Sequence, residues 1–123
     1  MTKKAIKVVK IIQTPQEMEK ELRKLKVHEG GIEIMKNKAP ALVMILPEIL
    51  GAKGLILKQE MLSIGGDAAL PGDVLKNCQS QFSVMLIGSF LHFDKLSKKL
   101  KKQVLGLEEL SKEIEEGLEG CFL

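Results

Sequence analysis

Aromatic side chains are nearly absent from this chain, which has four phenylalanines, no tyrosine and no tryptophan. Proteins that bind single-stranded nucleic acid commonly stack the bases on aromatic rings, so this class of function is disfavoured. Arginine is also scarce, because Arg23 is the only one and lysine supplies the other positive charges. Since arginine is preferred for bidentate recognition of phosphate, a phosphate-reading protein is disfavoured as well.

Residues that carry catalysis or bind metals are few. The chain has two histidines, His28 and His92, and two cysteines, Cys78 and Cys121, without the spacing of a metal or redox motif. We expect His28 at a helix C-terminus, where a cation is favoured, and His92 on the surface of a helical first turn. The sequence therefore predicts no catalytic residue, no metal site and no cofactor.

Long apolar runs and a secretion signal are also missing. Lys7 and Lys10 interrupt the first apolar stretch, and no run approaches the roughly 20 residues of a membrane-spanning helix. These features predict a cytoplasmic protein with free thiols and no membrane partner. Lysine-rich and glutamate-rich usage, with a net charge of +3, is typical of thermophilic proteins.

The residues that are present fit one folded domain over residues 1–123, since 45% are hydrophobic and 28% are charged. Short apolar segments predict five strands, and the polar loop 37–40 predicts a hairpin between the second and third of them. The predicted strands are residues 5–12, 32–36, 41–46, 67–70 and 83–88.

Apolar residues at helical spacing predict four helices. Thr14, Pro15 and Glu17 have the spacing of a helix start, and Gly30-Gly31 is expected to close that helix after Val27. Gly65-Gly66 is expected to end the second helix. The predicted helices are residues 14–27, residues 52–64, a third from Ser89 to about Val104, and a fourth after Gly106 with Leu107, Leu110, Ile114 and Leu118 on one face.

The predicted order is βαββαββαα, an α+β fold. Its first six elements match the split βαβ pattern of ferredoxin-like folds, followed by a further strand and two C-terminal helices. We expect an antiparallel or mixed sheet with the helices mainly on one face.

Binding residues are only weakly indicated. Gly65-Gly66-Asp67 could cradle a phosphate, but the run follows a helix and lacks a phosphate-loop pattern, so a helix stop is favoured. Lys58, Gln59 and Glu60 precede it and are interpreted as a solvated stripe. The lysines of residues 98–102 could bind nucleic acid, but acidic residues follow directly and favour a charge-balanced surface.

The run LKQEMLSIGGDAA over residues 57–69, Asn77-Cys78, the run VMLIGS over residues 84–89, the basic helix and Gly106-Leu107 occur in a characteristic order. Together they resemble the amino-terminal region that precedes the catalytic barrel in many bacterial dihydropteroate synthases. The complete enzymes of that family condense a pterin pyrophosphate with p-aminobenzoate in folate synthesis. Their barrel begins with a motif close to MGILNVTPDSFSDGG.

That motif does not occur in this sequence, and a barrel needs about 250 residues. The resemblance therefore carries no catalytic or binding residue onto this chain. It implies a non-catalytic accessory domain or fragment whose partner is the barrel of a parent synthase, or a homo-oligomer. The ending Gly120-Cys121-Phe122-Leu123 is typical of a cut point. The alternative is a small stand-alone basic module that binds nucleic acid or another ligand through Lys98–Lys102.

Overall fold

The computed structural model describes residues 7–102 and 107–120. Within them the chain forms four strands and five α-helices, with a short 3₁₀ turn at Lys36–Lys38 after the second helix. The elements in chain order are β1 (Val8–Ile12), α1 (Pro15–Lys24), α2 (Glu29–Met35), β2 (Ala41–Leu50), α3 (Gly51–Ser63), β3 (Asp67–Ala69), β4 (Gln81–Gly88), α4 (Phe90–Lys101) and α5 (Leu107–Gly120).

The strands form one sheet in the order β1-β2-β4-β3, with every neighbouring pair antiparallel. Val43 and Met85 face α1 and α2, whereas Met44 and Leu86 face α3, α4 and α5. Because both faces of the central strands are covered, these strands are continuously apolar instead of alternating. The α+β class and the antiparallel sheet are confirmed, and three of the five helices lie on one face.

The predicted strand at residues 32–36 is wrong, and so is the hairpin that depended on it. These residues lie in α2 and its 3₁₀ extension, where Ile32 and Met35 are buried and Ile34 is exposed. A spacing of three residues between buried positions is helical, although the alternation in IEIMK resembled a strand. The observed order therefore departs from the ferredoxin-like pattern at this element.

The prediction that Gly30-Gly31 closes α1 is also wrong. Lys26, with φ of 61°, adopts the left-handed conformation there, and Val27 N–H donates to the Leu22 carbonyl. Gly30 and Gly31 instead lie in the first turn of α2. His28 is the N-cap of α2, and its Nδ1 accepts the Gly30 N–H at 3.2 Å. His28 therefore caps a helix start instead of lying at a helix end.

The start of α1 agrees with the prediction. Thr14 Oγ1 accepts the Glu17 N–H at 3.2 Å, and Pro15 occupies the first turn. Strand β2, however, continues beyond its predicted end at residue 46, through a bulge at Pro47 and Glu48. The parts of the predictions that involve residues 5–6, 103–106 and 121–123 lie outside the described residues.

The start of α3 has no side-chain cap and is satisfied by a distant loop. The Ser80 carbonyl accepts the Gly51 N–H at 2.8 Å, and the Cys78 carbonyl accepts the Ala52 N–H at 3.0 Å. A Cβ on Gly51 would lie only 2.9 Å from the Cys78 Cα. Glycine is therefore needed for this close approach, which fixes the position of α3 against the sheet.

Helix α5 packs on the molecule's own core. Its stripe of Leu107, Leu110, Ile114 and Leu118 is buried, as the spacing predicted. Ser111 is fully buried and donates its hydroxyl to the Ser97 carbonyl of α4 at 2.8 Å. No helix in the described part of the chain has the length and apolarity that a membrane crossing requires.

Candidate functional site

A groove of about 640 Å³ opens across one end of the sheet. Antiparallel pairing builds it, because Leu42 pairs with both Ile11 and Gly88, and Asp67 pairs with Ile87. These positions are far apart in sequence and form one row at the strand ends. The groove, which we call the strand-end groove, is lined by Ile11, Lys38, Pro40, Ala41, Leu42, Gly65, Gly66, Asp67, Ile87, Gly88, Ser89, Phe90 and His92.

The end of α3 supplies one wall of the strand-end groove. Gly65 has φ of 99°, and its N–H donates to the Leu62 carbonyl. The Gly66 N–H donates to the Met61 carbonyl at 2.9 Å. This is the double hydrogen-bond pattern of a helix C-cap, so the predicted helix stop at Gly65-Gly66 is confirmed. The two glycines also bring bare backbone to the groove.

The start of α4 supplies the opposite wall. Ser89 Oγ accepts the His92 N–H at 3.3 Å, and His92 Nδ1 accepts the Ser89 N–H at 3.1 Å. This reciprocal pair is a capping box in which histidine replaces the usual glutamate or glutamine. Because Nδ1 accepts a hydrogen bond, the ring proton of the neutral imidazole is on Nε2. His92 therefore lines the groove with a donor whose orientation the cap fixes.

Asp67 is a buried carboxylate at the base of the groove, with 5% of its surface exposed. Its Oδ1 accepts hydrogen bonds from Lys58 Nζ at 3.1 Å and from the Ala68 N–H at 2.7 Å. Its Oδ2 lies 3.4 Å from Lys38 Nζ. Two ammonium groups and a backbone N–H compensate this buried charge, as burial of a carboxylate requires.

The structure divides the weakly indicated residues into two groups. Gly65, Gly66 and Asp67 line the strand-end groove, and Lys58 supports Asp67 from behind. Gln59 is exposed on α3 and does not line the groove. Glu60 Oε2 is buried and lies 3.3 Å from Lys99 Nζ, close enough for an ion pair but without hydrogen-bond geometry. The prediction that Lys58, Gln59 and Glu60 form a solvated stripe is therefore correct for Gln59 alone.

The lysine cluster of α4 is largely paired within the chain. Lys98 Nζ lies 3.0 Å from Asp94 Oδ2, and Lys101 Nζ lies 2.6 Å from Glu115 Oε1. Lys99 pairs with Glu60 across to α3. This intrachain charge balance matches the favoured interpretation of the cluster and leaves less free positive charge for counterion release from nucleic acid.

The arginine that the sequence singled out is also engaged within the fold. Arg23 donates to both carboxylate oxygens of Glu29, at 2.8 and 2.9 Å, and to Glu19. The Glu29 hydrogen bonds are the main cause that raises the pKa of Arg23, and the same hydrogen bonds lower the pKa of Glu29. This bidentate Arg23–Glu29 pair, the Arg23–Glu29 fork, joins α1 to α2, so the guanidinium stabilises the fold.

A second concavity, of about 250 Å³, lies near the bulge of β2 and is lined by Lys7, Glu48, Lys53, Glu109 and Glu113 among others. It is smaller than the usual range of ligand sites, about 300–1,000 Å³. Its side chains carry both signs of charge. In the described part of the chain, no three His, Cys, Asp or Glu residues converge as a metal site would require. A further concavity, of about 430 Å³ near Pro71 and Phe82, is smaller than the strand-end groove of about 640 Å³, which is therefore the candidate site.

Comparison with known proteins gives one informative similarity. No protein-family model matches the chain, and no solved structure matches it. The chain is 29% identical over 104 residues to a bifunctional dihydropteroate synthase/dihydropteroate reductase of Helicobacter pylori. The similarity covers 85% of this chain and 27% of that protein. This chain thus spans about a quarter of the length of the relative that it matches.

Proposed function

We propose that this chain is an accessory region of a dihydropteroate synthase-type protein of folate synthesis. In this role it performs no synthase chemistry itself and contacts a synthase barrel or a second copy of the chain. The observation that supports the proposal is the similarity to the Helicobacter pylori protein, which runs through most of this chain and about a quarter of the other. A barrel of about 250 residues does not fit in such a length.

The arrangement of the groove also supports a role beyond filling space. Apolar walls, a buried and compensated carboxylate, and a donor fixed by a helix cap meet in one concavity. Concave, mostly apolar sites with a few oriented polar groups are the usual form of small-molecule sites. The alternative function, binding of nucleic acid or another ligand through Lys98–Lys102, has less support. Three lysines of that helix form ion pairs within the chain.

The proposal is tested by assaying dihydropteroate formation from the pterin pyrophosphate and p-aminobenzoate. The purified chain alone should form none, whereas adding it to the synthase barrel of the same organism should raise the barrel's thermal midpoint or its rate. Leu86→Asp, which places a charge in the fully buried core, controls for effects that do not need the folded chain. Turnover by the chain alone would contradict the proposal, and so would a chain that has no effect on the barrel and also stays monomeric in solution.

A further inference from the structure

We infer that the strand-end groove is the docking site of the chain's own segment after α5, with the side chains of Phe122 and Leu123 seated in it. These two residues lie outside the described part of the chain. The inference goes beyond the proposed function, because it assigns to the groove an occupant from the same molecule and does not depend on a role in folate synthesis.

The surface that the groove offers to an occupant is mainly apolar. Its carboxylate is engaged within the fold, because Asp67 Oδ1 accepts hydrogen bonds from Lys58 Nζ and the Ala68 N–H. The other oxygen, Oδ2, lies 3.4 Å from Lys38 Nζ. Asp67 therefore does not select a polar ligand. The apolar walls are formed mainly by Ile11, Pro40, Ala41, Leu42 and Ile87.

Ile11 shows that this apolar surface is accessible. It lies on β1 with 63% of its surface exposed, and it lines the groove. Apolar surface gathered in a concavity commonly marks a place where another apolar group binds. Removing such surface from water is favourable in proportion to the area that is covered. An apolar occupant therefore suits the groove better than a charged one.

Helix α5 runs along β1 toward the groove. Its first half lies at the start of β1, where Glu113 and Lys7 line the smaller concavity. Its second half lies farther along the strand, because a Cβ on Gly117 would be 3.2 Å from Val9 Cγ2. Ile11 follows two residues later on the same face of β1 as Val9. The helix therefore leads toward the groove-lining end of β1.

Helix α4 places the end of α5 at the same location. Leu118 and Glu119 of α5 line a shallow concavity together with Phe90 of α4. Phe90 also lines the strand-end groove. The last turn of α5 thus lies beside a residue of the groove wall. This observation is independent of the first, because it concerns the neighbouring helix and not the sheet.

The groove is within reach of the three residues that follow α5. From Val9 to Ile11 the strand advances about 7 Å, and from Gly117 to the end of α5 the helix advances about 4.5 Å toward the same end. Three extended residues span at most about 10 Å. Phe122 and Leu123 therefore reach the groove and supply two large apolar side chains. A small molecule or a partner protein would then enter the groove only by displacing them.

The test is the fluorescence of a single tryptophan at position 122. The chain has no tryptophan, so Phe122→Trp introduces a single reporter for the surroundings of this segment. We expect a blue-shifted emission maximum and weak quenching by acrylamide, because the indole packs among apolar side chains. Glu116→Trp is the control, since the Glu116 side chain is 69% exposed. It should show the red-shifted, strongly quenched emission of a tryptophan in water.

A matched pair of exposed isoleucines shows whether the groove provides those surroundings. Ile11 and Ile34 are 63% and 69% exposed, and of the two only Ile11 lines the groove. In the Phe122→Trp chain, Ile11→Asp should shift the emission to the red and raise the quenching to that of the Glu116→Trp control, because a carboxylate disfavours apolar packing. Ile34→Asp should change neither. Ile11→Ala, which adds no charge, should cause a smaller red shift and keeps the test valid if Ile11→Asp does not fold.

Blue-shifted emission that is unchanged on dilution and is lost with the Ile11 substitutions would support the inference. Three results would overturn it. The first is water-like emission from the Phe122→Trp chain. The second is an equal response to the Ile11 and Ile34 substitutions, including no response to either. The third is a blue shift that appears only as the protein concentration rises, because the segment would then occupy the groove of a second copy.

Discussion

Helices α1 and α3 end in the same backbone motif with different residues at its left-handed position. Gly65 occupies this position after α3, and Lys26 occupies it after α1, with φ of 61°. The cap hydrogen bonds correspond in the two helices, from Val27 to Leu22 and from Gly66 to Met61. A residue with a Cβ is strained in this conformation by about 1–2 kcal/mol, whereas glycine is not.

Lys26→Gly should therefore increase the free energy of unfolding by about 1 kcal/mol. The reverse change, Gly65→Ala, should lower it by about 1–2 kcal/mol, because φ is positive and the new Cβ would lie 3.1 Å from His92 Nε2. Urea denaturation of the two variants and the parent measures both differences. A less stable Lys26→Gly variant would contradict the cap assignment.

Glu21 links stability to pH. Burial raises its pKa, but the hydrogen bond and charge of Lys10, at 2.6 Å, together with Lys24, lower it overall below the usual 4.5. A lowered carboxyl pKa stabilises the folded state above the unfolded-state value, and this stability is lost as the pH falls through the folded-state value. The loss therefore belongs to the range below about pH 4.5.

Glu21→Gln should reduce the difference in unfolding free energy between pH 7 and pH 3, because the glutamine has no proton to gain. Glu119→Gln, at an exposed position near the end of α5, controls for loss of one carboxylate. Denaturation curves at several pH values measure the effect. The same acid sensitivity in Glu21→Gln as in the parent would show that the Lys10 pair does not contribute.

At the scale of elements, α2 shows where local patterns mislead. Two glycines in its first turn cost about 1 kcal/mol each relative to alanine, so propensity opposes a helix there. Tertiary contacts decide the outcome, because Ile32 and Met35 are buried beneath α1 and the Arg23–Glu29 fork joins the two helices. These contacts connect residues of different elements, and no periodicity within α2 reveals them.

The position of α5 depends on a close approach to the sheet at Gly117. A Cβ there would lie 2.7 Å from Met44 Cε and 3.2 Å from Val9 Cγ2. Alanine could be accommodated because the methionine end is flexible, but a large side chain could not. Gly117→Leu should lower the free energy of unfolding by about 2–3 kcal/mol through overpacking.

Glu116→Leu adds the same side chain at the neighbouring position, where the Glu116 side chain is 69% exposed, and should change stability by less than about 0.5 kcal/mol. Thermal denaturation of the two variants measures the contrast. Equal midpoints would show that α5 does not pack against β1 and β2 as described.

At the scale of the whole molecule, the sequence predicted the elements better than their assembly. Caps at Thr14 and Ser89, the stop at Gly65-Gly66 and the buried stripe of α5 carry local signals that the structure confirms. The sheet order depends on contacts between distant segments and has no local signal. For the same reason, the sequence indicated only some of the residues that line the candidate site.

Gly65, Gly66 and Asp67 were indicated by their own sequence run, whereas other lining residues such as Ile11, Lys38 and Gly88 were not. Strand register brings Ile11 and Gly88 to the two sides of Leu42, and the 3₁₀ turn after α2 brings Lys38 to Asp67. His92 was expected on the surface, and its place in a capping box was missed because histidine is not the usual residue there. The sequence did offer one signal, because His92 lies three residues after Ser89, which is the spacing of a capping box.

The proposed role of this chain in folate synthesis is tested most directly by the cellular folate pool. Codons 1–123 would be removed in frame, and dihydropteroate and its reduced products would be measured by mass spectrometry, with the parent region restored as the control. The account predicts that these compounds fall on removal and recover on restoration. Unchanged pools in cells that depend on their own folate synthesis would contradict it.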